Sequence, residues 1–128
     1  MRLVIAAGPP ASGKTSVLAR AAGTLVRRGL RVAALKCDCL VAHDAEAYRA
    51  AGVEIRVTLS GDLCPDHHTA VEIGDFAVGA AARGIDLALV ETAGLCDRCS
   101  PFLRRIASLC ILSTACNLRA TSHFSQPR

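Results

Sequence analysis

Short apolar runs alternate with amphipathic stretches along most of this chain. Leu3-Val4-Ile5-Ala6-Ala7 is continuously apolar and predicts a buried strand over Arg2 to Ala7. A helical pattern follows from about Gly13 to Arg28 and stops at Gly29. Arg31 to Lys36 predicts a second strand, and about Asp44 to Ala51 a short helix ended by Gly52. Val53 to Leu59 alternates apolar and polar residues, as a half-buried or edge strand does. About Thr69 to Arg83 predicts a helix stopped by Gly84, with Gly74 and Gly79 suggesting close packing. Ile85 to Val90 is mostly apolar, as a central parallel strand should be. A short helix from Pro101 and a strand near Ser108 to Leu112 follow.

Strands alternating with helices predict an α/β fold of three layers, with a mostly parallel sheet flanked by helices. Right-handed crossovers bring every parallel strand's C-terminal end to one edge, where ligands bind in open α/β sheets. The loops Gly8–Thr15, Cys37–Cys39, Gly61–His68 and Glu91–Cys99 are then neighbours. Residues 114–128 are polar and aperiodic and read as an irregular or disordered tail. Residues 1–113 form the domain, and the sheet is expected to be incomplete at its C-terminal end.

The first loop carries the sharpest chemistry. Gly8-Pro9-Pro10-Ala11-Ser12-Gly13-Lys14-Thr15 fits G-x-x-x-x-G-K-[ST], with a strand before it and the helical run Ser16 to Ala22 after it. Gly8 and Gly13 let backbone N–H groups turn inward onto phosphate oxygens, and the helix N-terminus adds its positive end. Lys14 reaches the β- and γ-phosphates, and the Thr15 hydroxyl can ligate Mg²⁺. The fold expected is therefore that of the P-loop NTPases. Glu91-Thr92-Ala93-Gly94 ends an apolar strand in the form of a Walker B and switch element. Its carboxylate can hold Mg²⁺ directly or through water, and Gly94 lets the backbone swing toward a γ-phosphate. Asp38, after the second strand, is placed to bind Mg²⁺ or orient the attacking water.

Cysteines and histidines gather in the neighbouring loops: Cys37-Asp38-Cys39, Cys64-Pro65-Asp66-His67-His68 and Cys96-Asp97-Arg98-Cys99. Thiolate and imidazole suit zinc, nickel or copper better than Mg²⁺, and Cys96-x-x-Cys99 has the bite of half a thiolate site. Cys64 leads the ligand candidates, followed by Cys99 and Cys96, then His67 and His68, then Cys37 and Cys39. Cys110 reads as a core residue, and Cys116 belongs to the tail.

Composition narrows the setting. The chain's 128 residues suffice for one domain, and 52% apolar content supports a core. The net charge of +4 comes without a basic cluster interleaved with aromatics, so no nucleic acid partner is expected. No apolar run approaches the roughly 18 residues that span a bilayer, so no membrane partner is expected. Seven cysteines in a chain read as cytoplasmic favour metal or redox chemistry over structural disulfides.

Taken together, these motifs resemble the CobW/HypB/UreG group of P-loop GTPases, metallochaperones of the SIMIBI class. The resemblance runs from about Leu3 to Ser108. It rests on the Gly8–Thr15 loop, Lys36 and Asp38, Asp44 with Ala51-Gly52-Val53, the loop Ser60 to His67, and Glu91-Thr92-Ala93-Gly94-Leu95. It implies a C-terminally truncated member using GTP and Mg²⁺ to deliver nickel, cobalt or zinc to a client metalloenzyme or cofactor-assembly protein. A Cys and a His of the 60s loop bind metal at a dimer interface in the urease and hydrogenase members. The resemblance thus implies metal binding by Cys64 and His67, and a homodimer. Cys99-Ser100-Pro101 resembles the Cys-Pro after the switch of the hydrogenase branch. The Asn-Lys-x-Asp segment that reads guanine in that group is absent from the chain, so ATP stays open beside GTP. Two other classes share the P-loop: a small-molecule kinase or molybdopterin-dinucleotide accessory protein, and a metal sensor without hydrolysis.

Overall fold

The computed structural model describes residues 1–94, 96, 98–114 and 117–121. The chain runs β1 (Arg2–Ala7), α1 (Lys14–Arg27), β2 (Val32–Asp38), a 3₁₀ turn (His43–Ala45) leading into α2 (Glu46–Ala50), and β3 (Glu54–Leu59). It continues with α3 (Pro65–Ala82), β4 (Leu87–Thr92), α4 (Ser100–Ile106), β5 (Leu109–Thr114) and β6 (Asn117–Thr121). The strands form one six-stranded sheet in the order β3-β2-β4-β1-β5-β6. Every pairing is parallel except β5 with β6. This is the three-layer α/β architecture that the alternation of elements predicts, with the mostly parallel sheet expected of the Gly8–Thr15 motif.

Period-two alternation divides the core between the two faces. Ile5, Leu35, Cys37, Ala88 and Val90 pack against Ile73, Phe76 and Ala80 of α3 and Leu103 of α4. Ala6, Val32, Ala34 and Leu89 pack against Leu18, Ala19 and Ala22 of α1 and Tyr48 of α2. Small residues fill the strands because helices cover both sides closely. Strand β4 lies between β1 and β2, while β5 lies on the far side of β1. The connections leaving β1 and β4 therefore diverge, which opens a crevice at their C-terminal ends.

The differences from the sequence pattern are local and have physical causes. Strands β2 and β4 continue to Asp38 and Thr92 rather than ending at Lys36 and Val90, because Cys37, Glu91 and Thr92 are buried against partners and Asp38 is half-buried. Helix α3 begins at Pro65 rather than Thr69, so the cysteine–histidine loop is partly a helical first turn. Pro65 has no N–H to lose at this position, and Asp66 favours the positive helix end. Gly74 is exposed with open space around it, so the close packing expected there is not found. Asn117–Thr121, expected within an irregular tail, is a strand antiparallel to β5. Residues 115–116 and 122–128 of that tail, Cys116 among them, lie outside the described residues, as do Leu95 and Asp97. Among the described residues, no helix is long and apolar enough to cross a membrane.

Candidate functional site

Between β1 and α1 the chain makes a tight anion-facing loop. Gly13 caps α1 in a left-handed conformation at φ 83°, which glycine adopts without the Cβ penalty. Ala11 is left-handed too, at φ 58°, at a cost of about 1 kcal/mol for a residue with a side chain. Strain of this kind concentrates at ligand clamps. No side chain caps the start of α1, which leaves its first turn suited to receive an anion. Lys14 Nζ donates to the carbonyls of Gly8 at 2.9 Å and Pro9 at 2.7 Å, and to Ser12 Oγ at 3.3 Å. Burial pulls the Lys14 pKa below the ordinary lysine value against the opposing charge of Glu91. Pro10 to Ser16 line a cavity of about 370 Å³, closed on the other side by Lys36, Asp38, Asp44, Glu91 and Ala93.

At the floor of this cavity, oxygen atoms surround one ammonium. Lys36 Nζ lies 2.8 Å from Glu91 Oε1, 3.2 Å from Asp44 Oδ2, 3.5 Å from Asp38 Oδ2 and 3.1 Å from Thr15 Oγ1. Thr15 Oγ1 is 2.6 Å from both Asp44 Oδ2 and Glu91 Oε1, and its single proton serves one of them at a time. Tyr48 donates to Glu91 Oε2 at 2.8 Å. Burial disfavours the Lys36 charge, but the hydrogen bond and charge of Glu91, with Asp44, hold its pKa above the ordinary value. Burial pushes the Asp44 carboxyl up, and the Thr15 hydrogen bond and Lys36 outweigh it, leaving the pKa lowered. Burial and the Glu91 charge raise the Tyr48 phenol, which stays a donor. One hydroxyl and three carboxylates form an all-oxygen donor set, the kind a hard divalent cation such as Mg²⁺ takes.

On the opposite face of the sheet lies a thiol cluster. The sulfur atoms of Cys64, Cys96 and Cys99 all lie within 4.8 Å of one another. His67 Nδ1 is 3.7 Å from Cys99 Sγ. Cys64 is the N-cap of α3, Cys99 the N-cap of α4, and Cys96 sits in the loop after β4. Backbone N–H groups of Cys99 and Arg98 draw the Cys96 thiol below its usual value. Desolvation and the neighbouring Cys96 push Cys99 up to about 11. All three thiols are partly exposed and free. Three thiols, with an imidazole beside one of them, suit a soft or borderline ion such as zinc or nickel and not magnesium.

The residues singled out in the sequence thus separate into two groups. Lys14, Thr15, Asp38 and Glu91 meet at the cavity, with Lys36 and Asp44. Cys64, Cys96 and Cys99 meet at the thiol cluster, and exposed His67 reaches its edge beside Cys99. Cys37 and Cys39, ranked last as ligands, are outside it. Cys37 is buried in β2, accepts a hydrogen bond from Thr58 at 3.2 Å and has a pKa raised by burial. Cys39 is tied through its N–H to Asp38 Oδ1 at 2.8 Å. His68 is outside as well, with Nε2 enclosed and without a hydrogen-bond partner. Cys110 lies in β5, in register with Ile5 of β1.

Three polar residues escaped the sequence reading: Tyr48, Asp66 and Thr92. Asp66 is fully buried and accepts from Thr92 Oγ1 at 2.8 Å and from the Cys96 N–H at 2.6 Å. The available signals were the one tyrosine of the chain, four residues beyond Asp44, and an Asp directly after Cys64-Pro65.

Residues 2–115 match the family described as CobW/HypB/UreG, nucleotide-binding domain. An uncharacterized protein of Methanocaldococcus jannaschii is 38% identical over 128 residues, covering 100% of this chain and 52% of the relative. The chain therefore spans about half the length of that curated relative. The crystal structure of HypB from Helicobacter pylori in complex with nickel aligns with a TM-score of 0.61 and 18% identity, over 88% of this chain and 51% of that one. HypB from Archaeoglobus fulgidus aligns with a TM-score of 0.55 and 19% identity, over 88% and 65%. The signal recognition particle receptor FtsY from Elizabethkingia anophelis, in complex with GDP, aligns with a TM-score of 0.57 and 22% identity, over 73% and 29%. At these identities the structural likenesses speak for the fold.

Proposed function

Because the chain belongs to the CobW/HypB/UreG family of nucleotide-binding domains, we propose that it is a Mg²⁺-dependent GTPase that couples its nucleotide state to holding and releasing a nickel, cobalt or zinc ion. The observation that carries this reading is the group of three free thiols within 4.8 Å of one another on the strand edge that also carries the phosphate loop.

In this reading the Gly8–Thr15 loop and Ser16 cradle the phosphates with backbone N–H groups. Lys14 exchanges the Gly8 and Pro9 carbonyls for phosphate oxygens. Thr15, Asp38 and Glu91, with Asp44, hold Mg²⁺. When bound, the ion neutralises charge on the β- and γ-phosphates. Asp38 orients the attacking water, and Gly94 turns its N–H toward the γ-phosphate and is released after hydrolysis. The transported ion is cargo, held by Cys64, Cys96 and Cys99 with His67. Its recipient is a client metalloenzyme or cofactor-assembly protein, and the working unit is a homodimer.

The test is phosphate release from GTP and ATP with Mg²⁺. Phosphate is expected to pass to water, with GTP the better substrate. Lys14→Ala is expected to weaken nucleotide binding about tenfold, the value of a charge-assisted hydrogen bond. Transfer of phosphate to an added small-molecule acceptor instead of water would establish a kinase. Metal binding with no hydrolysis, and no effect of Lys14→Ala, would establish a sensor.

A further inference from the structure

Adjacent residues of a strand point to opposite faces of its sheet, and the end of β4 uses this to touch both sites. Glu91 faces α1 and α2, where it meets Thr15, Lys36 and Tyr48. Thr92 faces α3, where its hydroxyl donates to Asp66 Oδ1 at 2.8 Å. The Gly94 N–H lies 3.4 Å from the same Thr92 oxygen. The other Asp66 oxygen accepts the Cys96 N–H at 2.6 Å. Asp66 stands two residues after Cys64 and directly before His67, in the first turn of α3. A Cβ added to Gly94 would come 2.7 Å from Asp66 Oδ1, so the switch backbone rests against this carboxylate.

Resting on the function proposed above, we infer that Asp66 is the positioning residue that transmits the nucleotide state to the thiol cluster. The path runs from the Gly94 N–H through the Thr92 hydroxyl to the Asp66 carboxylate and on to the Cys96 N–H. When a γ-phosphate draws the Gly94 N–H, the backbone leaves the face of Asp66. The carboxylate gains room, and its hold on the Cys96 peptide loosens. Cys96 then separates from Cys64 and Cys99. The carboxylate and hydroxyl are both fully buried, so the contacts do not exchange freely with water, and two discrete arrangements are favoured over a graded one.

Site-resolved alkylation of the reduced, metal-free chain tests this without depending on metal loading. Each cysteine is followed by mass spectrometry, with and without Mg²⁺ and a non-hydrolysable GTP analogue, and the urea-unfolded chain serves as the reference. In the wild type, the analogue is expected to speed alkylation of Cys96 about fivefold, at the lower end of usual coupling between sites. Thr92→Val keeps the shape of the side chain and breaks the links to Gly94 and Asp66, and Asp66→Ala breaks those to Thr92 and Cys96. Each is expected to bring the ratio close to one while the analogue still binds. A merely structural role would lower the melting temperature and leave the ratio intact. A wild-type ratio kept in Asp66→Ala overturns the role of Asp66 alone. A wild-type ratio of one with analogue bound overturns the coupling in the proposed function as well.

Discussion

Glu91→Gln is expected to lower folding stability by about 3 kcal/mol, the lower end for breaking a buried ion pair, and to abolish Mg²⁺-dependent hydrolysis. The Glu91 and Lys36 side chains are both 4% exposed, and their charged atoms are 2.8 Å apart. An amide at position 91 still accepts the Tyr48 hydroxyl, but it sets N–H donors against the Lys36 ammonium and no longer carries a charge. Asp44 and Asp38 remain within 3.5 Å of Lys36, which keeps the loss near the lower end. They do not replace Glu91, because Asp44 is 54% exposed and its pairing is screened by water. Urea unfolding monitors the stability and phosphate release the activity. Adding Lys36→Met to Glu91→Gln is expected to recover much of the lost stability, since the stranded charge is removed with its partner. A Glu91→Gln stability within about 0.5 kcal/mol of wild type, the range of ordinary surface changes, would mean that the pair is solvated.

Cys64→Ser or Cys99→Ser is expected to lower nickel and zinc affinity on the order of 100-fold or more, since loss of a mere outer-shell partner already costs 10- to 100-fold. A hydroxyl is a far poorer ligand than a thiolate for such ions, and each sulfur is one of three that converge within 4.8 Å among the described residues. Cys39→Ser is the control, because Cys39 stands outside that group, and it is expected to leave affinity unchanged. Competition with a chromophoric chelator under reducing conditions measures both. Equal loss in all three variants would show that the ion binds diffusely.

Periodicity made most of the fold legible. The runs Leu3 to Ala7 and Ile85 to Val90 are apolar because helices cover both faces of β1 and β4, and Val53 to Leu59 alternates because β3 lies at the edge of the sheet. The phosphate loop was legible because its glycines, Lys14 and Thr15 occupy fixed spacings between a strand and a helix. The thiol cluster was legible as a neighbourhood, since parallel strands send their loops to one edge. Membership was not legible. Cys37 and Cys39 share the motif-like spacing but start from β2, and the inward alternation of that strand sends Cys37 into the core. The extended ends of β2 and β4 were missed because Asp38 and Glu91 look like loop residues until their partners are known. Asp66 was missed for a related reason. Its partners are a hydroxyl and a peptide N–H at sequence separations of 26 and 30, and no local pattern records such contacts.

The central claim is that nucleotide and metal sense each other, and a nickel and zinc titration of the reduced chain tests it most directly. The titration is run with and without Mg²⁺ and a non-hydrolysable GTP analogue. The account predicts that metal affinity differs at least about fivefold between the two conditions, and that metal shifts analogue affinity by the same factor. Equal metal affinity in both conditions, with the analogue demonstrably bound, would contradict it, because a ligand that binds two states equally shifts no equilibrium between them.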